Sequence, residues 1–235
     1  MPDRPLLLIT ATELEAEPLK RAFAWQGCDL PLGSFYRAVR SEQRLYLGHL
    51  GVGKVNTAAA LALAIERLVP GAVIQFGVGG AYVGSFLSVG MVAVAQHDIH
   101  IDTGLKSNGA WHGMNELGFP LIAGEQPLYN LIPTDQRLTH ALVDATNAPL
   151  VIFGTSETVT GDFDAARTLH ERFDLSVESM EGAAAAQVCY AMGVPFAQIR
   201  AVSNIVGETD KRAWNVPKAV QKVNDAILGF VDAMS

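Results

Sequence analysis

Cysteine is nearly absent: Cys28 and Cys189 are the two in 235 residues. That excludes a disulfide framework and leaves no thiol cluster for a metal. Free thiols fit a reducing cytoplasm, which is the expected compartment. Charged residues are also few, 17% of the chain, and their balance is −7. Such an acidic chain is not built to hold nucleic acid or an anionic membrane surface. No apolar run is long enough to cross a bilayer. The Met1-Pro-Asp-Arg4 start lacks the apolar core and small-residue cleavage site of a signal peptide, so none is expected.

Several chemical signatures are missing as well. His97 and His100 stand close together without cysteine partners or an HExxH spacing, so no metal site is expected and they read as surface or loop residues. No Gly-x-Ser-x-Gly elbow is present. Gly48-His-Leu-Gly-Val-Gly53-Lys54 matches most of a P-loop, but Val55 follows where that motif needs Ser or Thr for magnesium. Nucleoside-triphosphate hydrolysis is thereby rejected, and the bland reading is a tight glycine turn. Gly77-Val-Gly-Gly80 fails as a dinucleotide fingerprint, because Tyr82 takes the third glycine's place and no helix pattern follows. Either it is a plain turn, or its amides approach a flat ligand.

What is present is apolar and alternating. Hydrophobic residues make up 49% of the chain, which points to a sheet buried on both faces. Buried strands are expected at Leu6–Ala11, Ala72–Phe76, Gly90–Ala95, Leu150–Phe153 and Pro195–Val202. A further strand pair is expected at Phe35–Val39 and Arg44–Leu50. Thr12-Glu-Leu-Glu15 has the form of a capping box opening a helix through about Phe23. Further helices are expected at Lys54–Val69, Phe163–Phe173, Glu181–Met192 and Val216–Met234, and a long polar loop at Gly104–Gly118. This alternation predicts one α/β domain over residues 1–235, with no interdomain linker.

The candidate site residues lie at element ends. Ser203-Asn204 closes a buried strand, where open α/β sheets bind ligands. An amide there donates hydrogen bonds that an ionised carboxylate cannot, although a strand-end Asn also caps turns. Glu15, Glu178 and Glu181 either serve local helix starts or converge with Arg200 and Asn204 on one site. Cys189, in an Ala-rich helix, reads as core.

Five of these segments, in order, resemble the nucleoside phosphorylase and nucleosidase superfamily over nearly the whole chain. Ile9-Thr-Ala-Thr-Glu-Leu-Glu15 looks like the acidic helix start of methylthioadenosine/S-adenosylhomocysteine nucleosidases. Gly51-Val-Gly-Lys-Val-Asn56 resembles their glycine-lysine turn, and Gly77-Val-Gly-Gly80 their purine-contacting loop. Ser179-Met180-Glu181-Gly182 is similar to the ribose motif, and Arg200-Ala-Val-Ser-Asn204 to the closing purine motif. Glu178-Ser-Met-Glu-Gly182, Ser203-Asn-Ile-Val-Gly207 and the stretch Arg212 to Pro217 resemble the futalosine hydrolases more narrowly.

The resemblance implies a single-domain three-layer α/β/α fold around a mixed, largely parallel twisted sheet. It also implies a small nucleoside substrate, a homo-oligomer, and neither cofactor nor metal. Glu15 would activate water, Glu181 would hold the ribose hydroxyls over Met180, and Arg200 and Ser203 would support the polar network. Asn204 would contact the leaving purine, with Val78 and Gly79 lining the base pocket. Thr158 or Val159 falls where adenine-specific relatives stack an aromatic ring. Those relatives have Asp in place of Asn204, so a 6-oxopurine such as hypoxanthine is expected here. Gln75 and Val78 replace the Arg and Ser anion anchors of bacterial phosphorylases, so water is the expected nucleophile rather than phosphate. The segment from His97 to Phe119 is expected to receive an aryl-carboxylate arm. His100, Lys106, His112 and Arg212 are its candidate partners, with Trp111 as a wall. The rival activities are a purine nucleoside phosphorylase, a methylthioadenosine nucleosidase and a noncatalytic nucleoside-binding protein.

Overall fold

The computed structural model describes residues 4–234. The chain enters on β1 (Leu6–Thr10), a wholly buried apolar run, and passes through a 3-10 turn (Leu14–Ala16) into α1 (Glu17–Ala22). Strands β2 (Gln26–Cys28), β3 (Ser34–Arg40) and β4 (Gln43–His49) form an antiparallel meander. Helix α2 (Lys54–Leu68) leads to β5 (Ala72–Ala81) and β6 (Val92–His100). A hairpin of β7 (Gly104–Ser107) and β8 (Ala110–Gly113) precedes α3 (Met114–Leu117) and β9 (Leu131–Pro133). Helix α4 (Gln136–Thr146), β10 (Leu150–Thr155), α5 (Phe163–Phe173) and β11 (Leu175–Ser179) follow. Last come α6 (Gly182–Ala191), β12 (Phe196–Ile205) and α7 (Val216–Ala233).

Ten strands share one sheet in the order β11-β10-β6-β12-β5-β1-β4-β3-β2, with β9 also on β6. Most central pairs are parallel, whereas β12–β6 is antiparallel. Period-two alternation along β1 sorts its side chains between the layers. Leu6 and Leu8 join a core with Leu19 and with Val223, Ile227 and Phe230 of α7. Leu7 and Ile9 join a second core with Ala60 and Ala64 of α2 and with Ala185, Ala186 and Cys189 of α6. This is the expected three-layer arrangement.

The sheet is not simply open. Strand β11 also pairs antiparallel with β5, setting Val177 opposite Ala81 and Glu178 opposite Gly80. Strands β5, β12, β6, β10 and β11 therefore close into a ring. Gly77–Gly80, expected as a turn or loop, is the far half of β5. Its missing side chains make the closure possible: a Cβ on Gly79 would lie 2.8 Å from Val177 Cγ1 and 2.9 Å from the Glu178 carbonyl oxygen.

Other boundaries differ from expectation. Thr12–Phe23 is a 3-10 turn followed by a helix, because Pro18 cannot supply the amide hydrogen a continuous helix needs. Gly104–Gly118 is a hairpin and a short helix, its turn made by the positive φ of Asn108 and Gly109. Strand β12 runs past Val202 to Ile205, with its register shifting between Val202 and Asn204. Strands β2, β9 and β11 and helix α4 were not foreseen.

Asn224, buried on α7, ties the 3-10 turn to the body of the protein. Its Oδ1 accepts from the Leu19 amide at 3.1 Å, and its Nδ2 donates to the Glu15 carbonyl at 2.7 Å. Asn224→Leu leaves both groups buried and unpaired. It is expected to lower stability by about 3 kcal/mol, read as a shifted urea midpoint at unchanged slope.

Candidate active site

A cavity of about 270 Å³ opens where these elements meet. Its walls are Thr12, Leu14 and Glu15 after β1, Val52 before α2, and Val78 to Gly80 on β5. Glu178 and Ser179 at the end of β11, Met180 and Glu181 before α6, Arg200, Ser203 and Asn204 on β12, and Val159, Trp214 and Val216 complete it.

Arg200 organises this space. It is 1% exposed, so its charge is far from water and must be matched by neighbours. Nη2 donates to Glu181 Oε2 at 3.2 Å, Nη1 to the Val78 carbonyl at 3.0 Å, and Nε to Gln198 Oε1 at 3.0 Å. Glu15 Oε1 stands 3.8 Å from Nη1. Gly77 permits the approach, since a Cβ there would collide with Glu15 Oε1.

Glu15 performs a local and a distant task together. Oε2 accepts from the Thr12 amide at 2.9 Å, half of the expected capping box, while Oε1 accepts from the Val78 amide at 3.0 Å. Burial pushes its carboxyl above the ordinary value near 4.5; Arg200 and the Val78 amide oppose that shift, and Glu181 adds to it. Glu181 Oε1 accepts from the Gly53 amide at 3.1 Å. The turn before α2 thus touches the cavity through its backbone, at a glycine whose φ is +90°.

The remaining carboxylates are committed elsewhere. Glu178 accepts from Tyr82 Oη at 2.7 Å and from the Thr160 amide and hydroxyl at 2.9 and 2.6 Å. It clasps the segment carrying Val159 to the ring and does not serve a helix start. Glu157 occupies the amino end of α2, accepting from the Lys54 amide at 2.8 Å. Lys54 itself pairs with Asp102 at 2.6 Å. A helix start of this kind binds anions, and here the chain's own carboxylate fills it.

Asn204 is held on both sides. Ser203 Oγ lies 2.7 Å from its Oδ1 and 3.2 Å from the Gly79 carbonyl, and Asn204 Nδ2 donates to the Ile205 carbonyl at 3.2 Å. Nδ2 keeps a second hydrogen beside the cavity.

Nine of the ten expected site residues line this cavity. Thr158 does not: its hydroxyl lies 3.2 Å from Ser156 Oγ. The expected arm partners are also elsewhere. His100, expected at the surface, is buried on β6 against Gln187 and held to a pKa of about 4 by burial. His112 pairs with Glu116, and Arg212 with Asp210. Lys106 lies on the hairpin, and Trp111 packs edge-on against Phe173. In place of the hairpin, Leu14, Val52, Trp214 and Val216 form an apolar rim; all four fall in motif segments of the sequence, but no residue of the rim carries an expected substrate contact. No spacing rule links residues so far apart in the chain. Among the described residues no group of three His, Cys, Asp or Glu is placed to hold a metal ion.

Fold and cavity together define a small-molecule site set among sheet strands and carrying two carboxylates on one buried arginine. Residues 5–234 match the model of the phosphorylase superfamily, and the chain belongs to that family. It is 34% identical to the futalosine hydrolase of Thermus thermophilus, over 94% of this chain and 92% of that one. It is 32% identical to a 5'-methylthioadenosine/S-adenosylhomocysteine nucleosidase of Anoxybacillus flavithermus, over 74% of each. The nucleosidase of Neisseria meningitidis solved with methylthio-immucillin-A superposes with a TM-score of 0.85, covering 98% of this chain and 99% of that one; at 22% identity this likeness speaks for the fold alone.

A raised native pKa at Glu15 means that protonation favours the fold. Its contribution to stability is full below the ordinary carboxylate value and is lost as pH rises through the native one. The stability of the wild type relative to Glu15→Gln is therefore expected to fall as pH rises above the ordinary carboxylate value near 4.5, measured by urea denaturation at each pH.

Proposed function

We propose that this chain hydrolyses the N-glycosidic bond of futalosine, releasing hypoxanthine and dehypoxanthine futalosine. The observation that carries the reading is the buried pairing of Glu15 and Glu181 on Arg200 beside the Asn204 amide. The named activity of the Thermus thermophilus relative supports the substrate.

Cleavage builds positive charge on the ribose and negative charge on the base. The bonding pair of the C1′–N bond leaves with the purine, whose growing charge meets the free Asn204 N–H. Glu181 accepts from the 2′ and 3′ hydroxyls and favours the cationic sugar, with Met180 beneath it. Glu15 takes the proton of the attacking water. The raised pKa suits this work, because a carboxylate that is harder to ionise is a better base. Val78, Gly79 and Val159 would flank the purine. Ser203 would orient the Asn204 amide. The apolar rim of Leu14, Val52 and Trp214 would take the aryl part of the substrate.

Water, not phosphate, is the proposed nucleophile. Among the described residues Arg200 is the one cationic side chain lining the cavity, and its charge is already paired with Glu181 and Glu15. A phosphate dianion would meet Glu15 and Glu181 without a free cation. The enzyme is further proposed to work in the cytoplasm as a homo-oligomer, checked by light scattering on a sizing column.

The second reading is a methylthioadenosine/S-adenosylhomocysteine nucleosidase, favoured by the Anoxybacillus flavithermus relative. Asn204 separates the two. Chromatography after incubation with futalosine is expected to show hypoxanthine at a rate independent of phosphate. Methylthioadenosine and aminodeoxyfutalosine should be cleaved slowly or not at all. Asn204→Asp should shift the kcat/KM ratio toward the amino-purine by roughly tenfold or more. Strict phosphate dependence, or unchanged base selectivity in Asn204→Asp, would overturn the respective assignment.

A further inference from the structure

Behind the cavity a chain of buried polar groups crosses three strands. Arg200 Nε donates to Gln198 Oε1 at 3.0 Å, and Gln198 Nε2 donates to Asp98 Oδ2 at 2.7 Å. Asp98 Oδ1 accepts from Thr155 Oγ1 at 2.8 Å, and Thr155 Oγ1 accepts from the Ala183 amide at 2.9 Å. Asp98, Thr155 and Gln198 are each 0% exposed. The groups lie on β12, β6 and β10 and end at the start of α6, one residue beyond Gly182.

The order of donors gives this chain a direction. An ionised carboxylate only accepts, so Asp98 takes the NH2 end of Gln198. That leaves Oε1, and only Oε1, for the Nε–H of Arg200. A guanidinium held at Nε as well as at both Nη atoms has its plane fixed. Packing does not require this polarity. Apolar side chains would fill the same space, but they would strand the Arg200 Nε–H and the Thr155 hydroxyl. Burial even works against the carboxylate, pushing the pKa of Asp98 up to about 6. A buried carboxylate–amide pair kept at that cost behind the site points to a geometric task.

We infer that Gln198, oriented by Asp98, is a positioning residue that sets the plane of the Arg200 guanidinium and so holds Glu15 and Glu181 in register across the cavity. The inference rests on the nucleosidase reading for its effect on rate, and on geometry alone for its effect on Arg200. Four groups face the Glu15 carboxylate and are affected together: the Arg200 guanidinium on β12, Glu181 at the start of α6, the Val78 amide on β5, and Thr12.

The test is the double variant Asp98→Ala with Gln198→Leu. It removes the polar pair and leaves the Arg200 Nε–H and the Thr155 hydroxyl without their acceptors, so its urea midpoint is expected to fall, and both readouts are taken where the variant is folded. With Arg200 released at Nε, kcat on futalosine should fall by roughly tenfold or more while KM stays within about twofold. Carbon-13 NMR of the Glu15 carboxyl should show its titration midpoint rise by about one unit, because the guanidinium no longer holds its place beside it. Gln198→Asn, which keeps the amide but withdraws it by one methylene, should move both readouts in the same direction if the double variant does not fold. A folded variant with wild-type kcat, or with an unmoved Glu15 midpoint, overturns the inference. Absence of base release from the wild type would defeat the nucleosidase reading instead, and the Glu15 midpoint alone would then decide whether Gln198 sets Arg200.

Discussion

A positive charge with almost no exposure to water is the constraint around which this molecule is arranged. Arg200 sits within β12, between β5 and β6, and needs its charge matched by neighbours. Its partners come from four separate parts of the chain: Glu15 after β1, Val78 on β5, Glu181 at the head of α6, and Gln198 two residues back on its own strand. Each demands something of the local fold. The 3-10 turn must be pinned by Asn224, β5 must carry glycine where Glu15 arrives, and Gly53 must expose its amide to Glu181. Failure of any one would strand a buried charge, so the site and the fold share the same interactions.

Closure of the ring extends this logic to the substrate. Strand β11 crosses to β5 because Gly79 leaves room, and that crossing brings Glu178 over the cavity. Glu178 then fastens Thr160 and Tyr82, fixing the segment that carries Val159. On the opposite side Glu157 fills the amino end of α2. A turn with the outline of a phosphate loop is thereby committed to structure. The proposed hydrolytic chemistry follows from what remains: carboxylates facing inward, one arginine already paired, and no free cation for an anionic nucleophile among the described residues that line the cavity.

Much of the fold was legible along the chain, because periodicity is a local property. Strand β1 and helices α2, α5 and α7 lie within a residue or two of their expected bounds. The differences have separate causes. Gly77–Gly80 reads as a turn by composition, yet glycine serves there for close approach between strands. The hairpin of β7 and β8 is polar and pairs mainly with itself, so no apolar alternation announces it. Thr158 and the residues expected to meet the substrate's arm were placed by analogy along the sequence, and the cavity passes them by.

Sequence alone determined the residue types available for chemistry: an amide at Asn204, carboxylates at Glu15 and Glu181, and Val55 where a magnesium ligand would stand. It also determined the alternation of strands and helices, since spacing of apolar residues is written residue by residue. Tertiary structure alone decided that Glu15 and Glu181 share Arg200, that Glu157 closes the helix end, and that Gln198 and Asp98 stand behind the site. Those contacts join residues far apart along the chain. They exist because a buried charge has to be matched in three dimensions by whatever the closing sheet brings within reach.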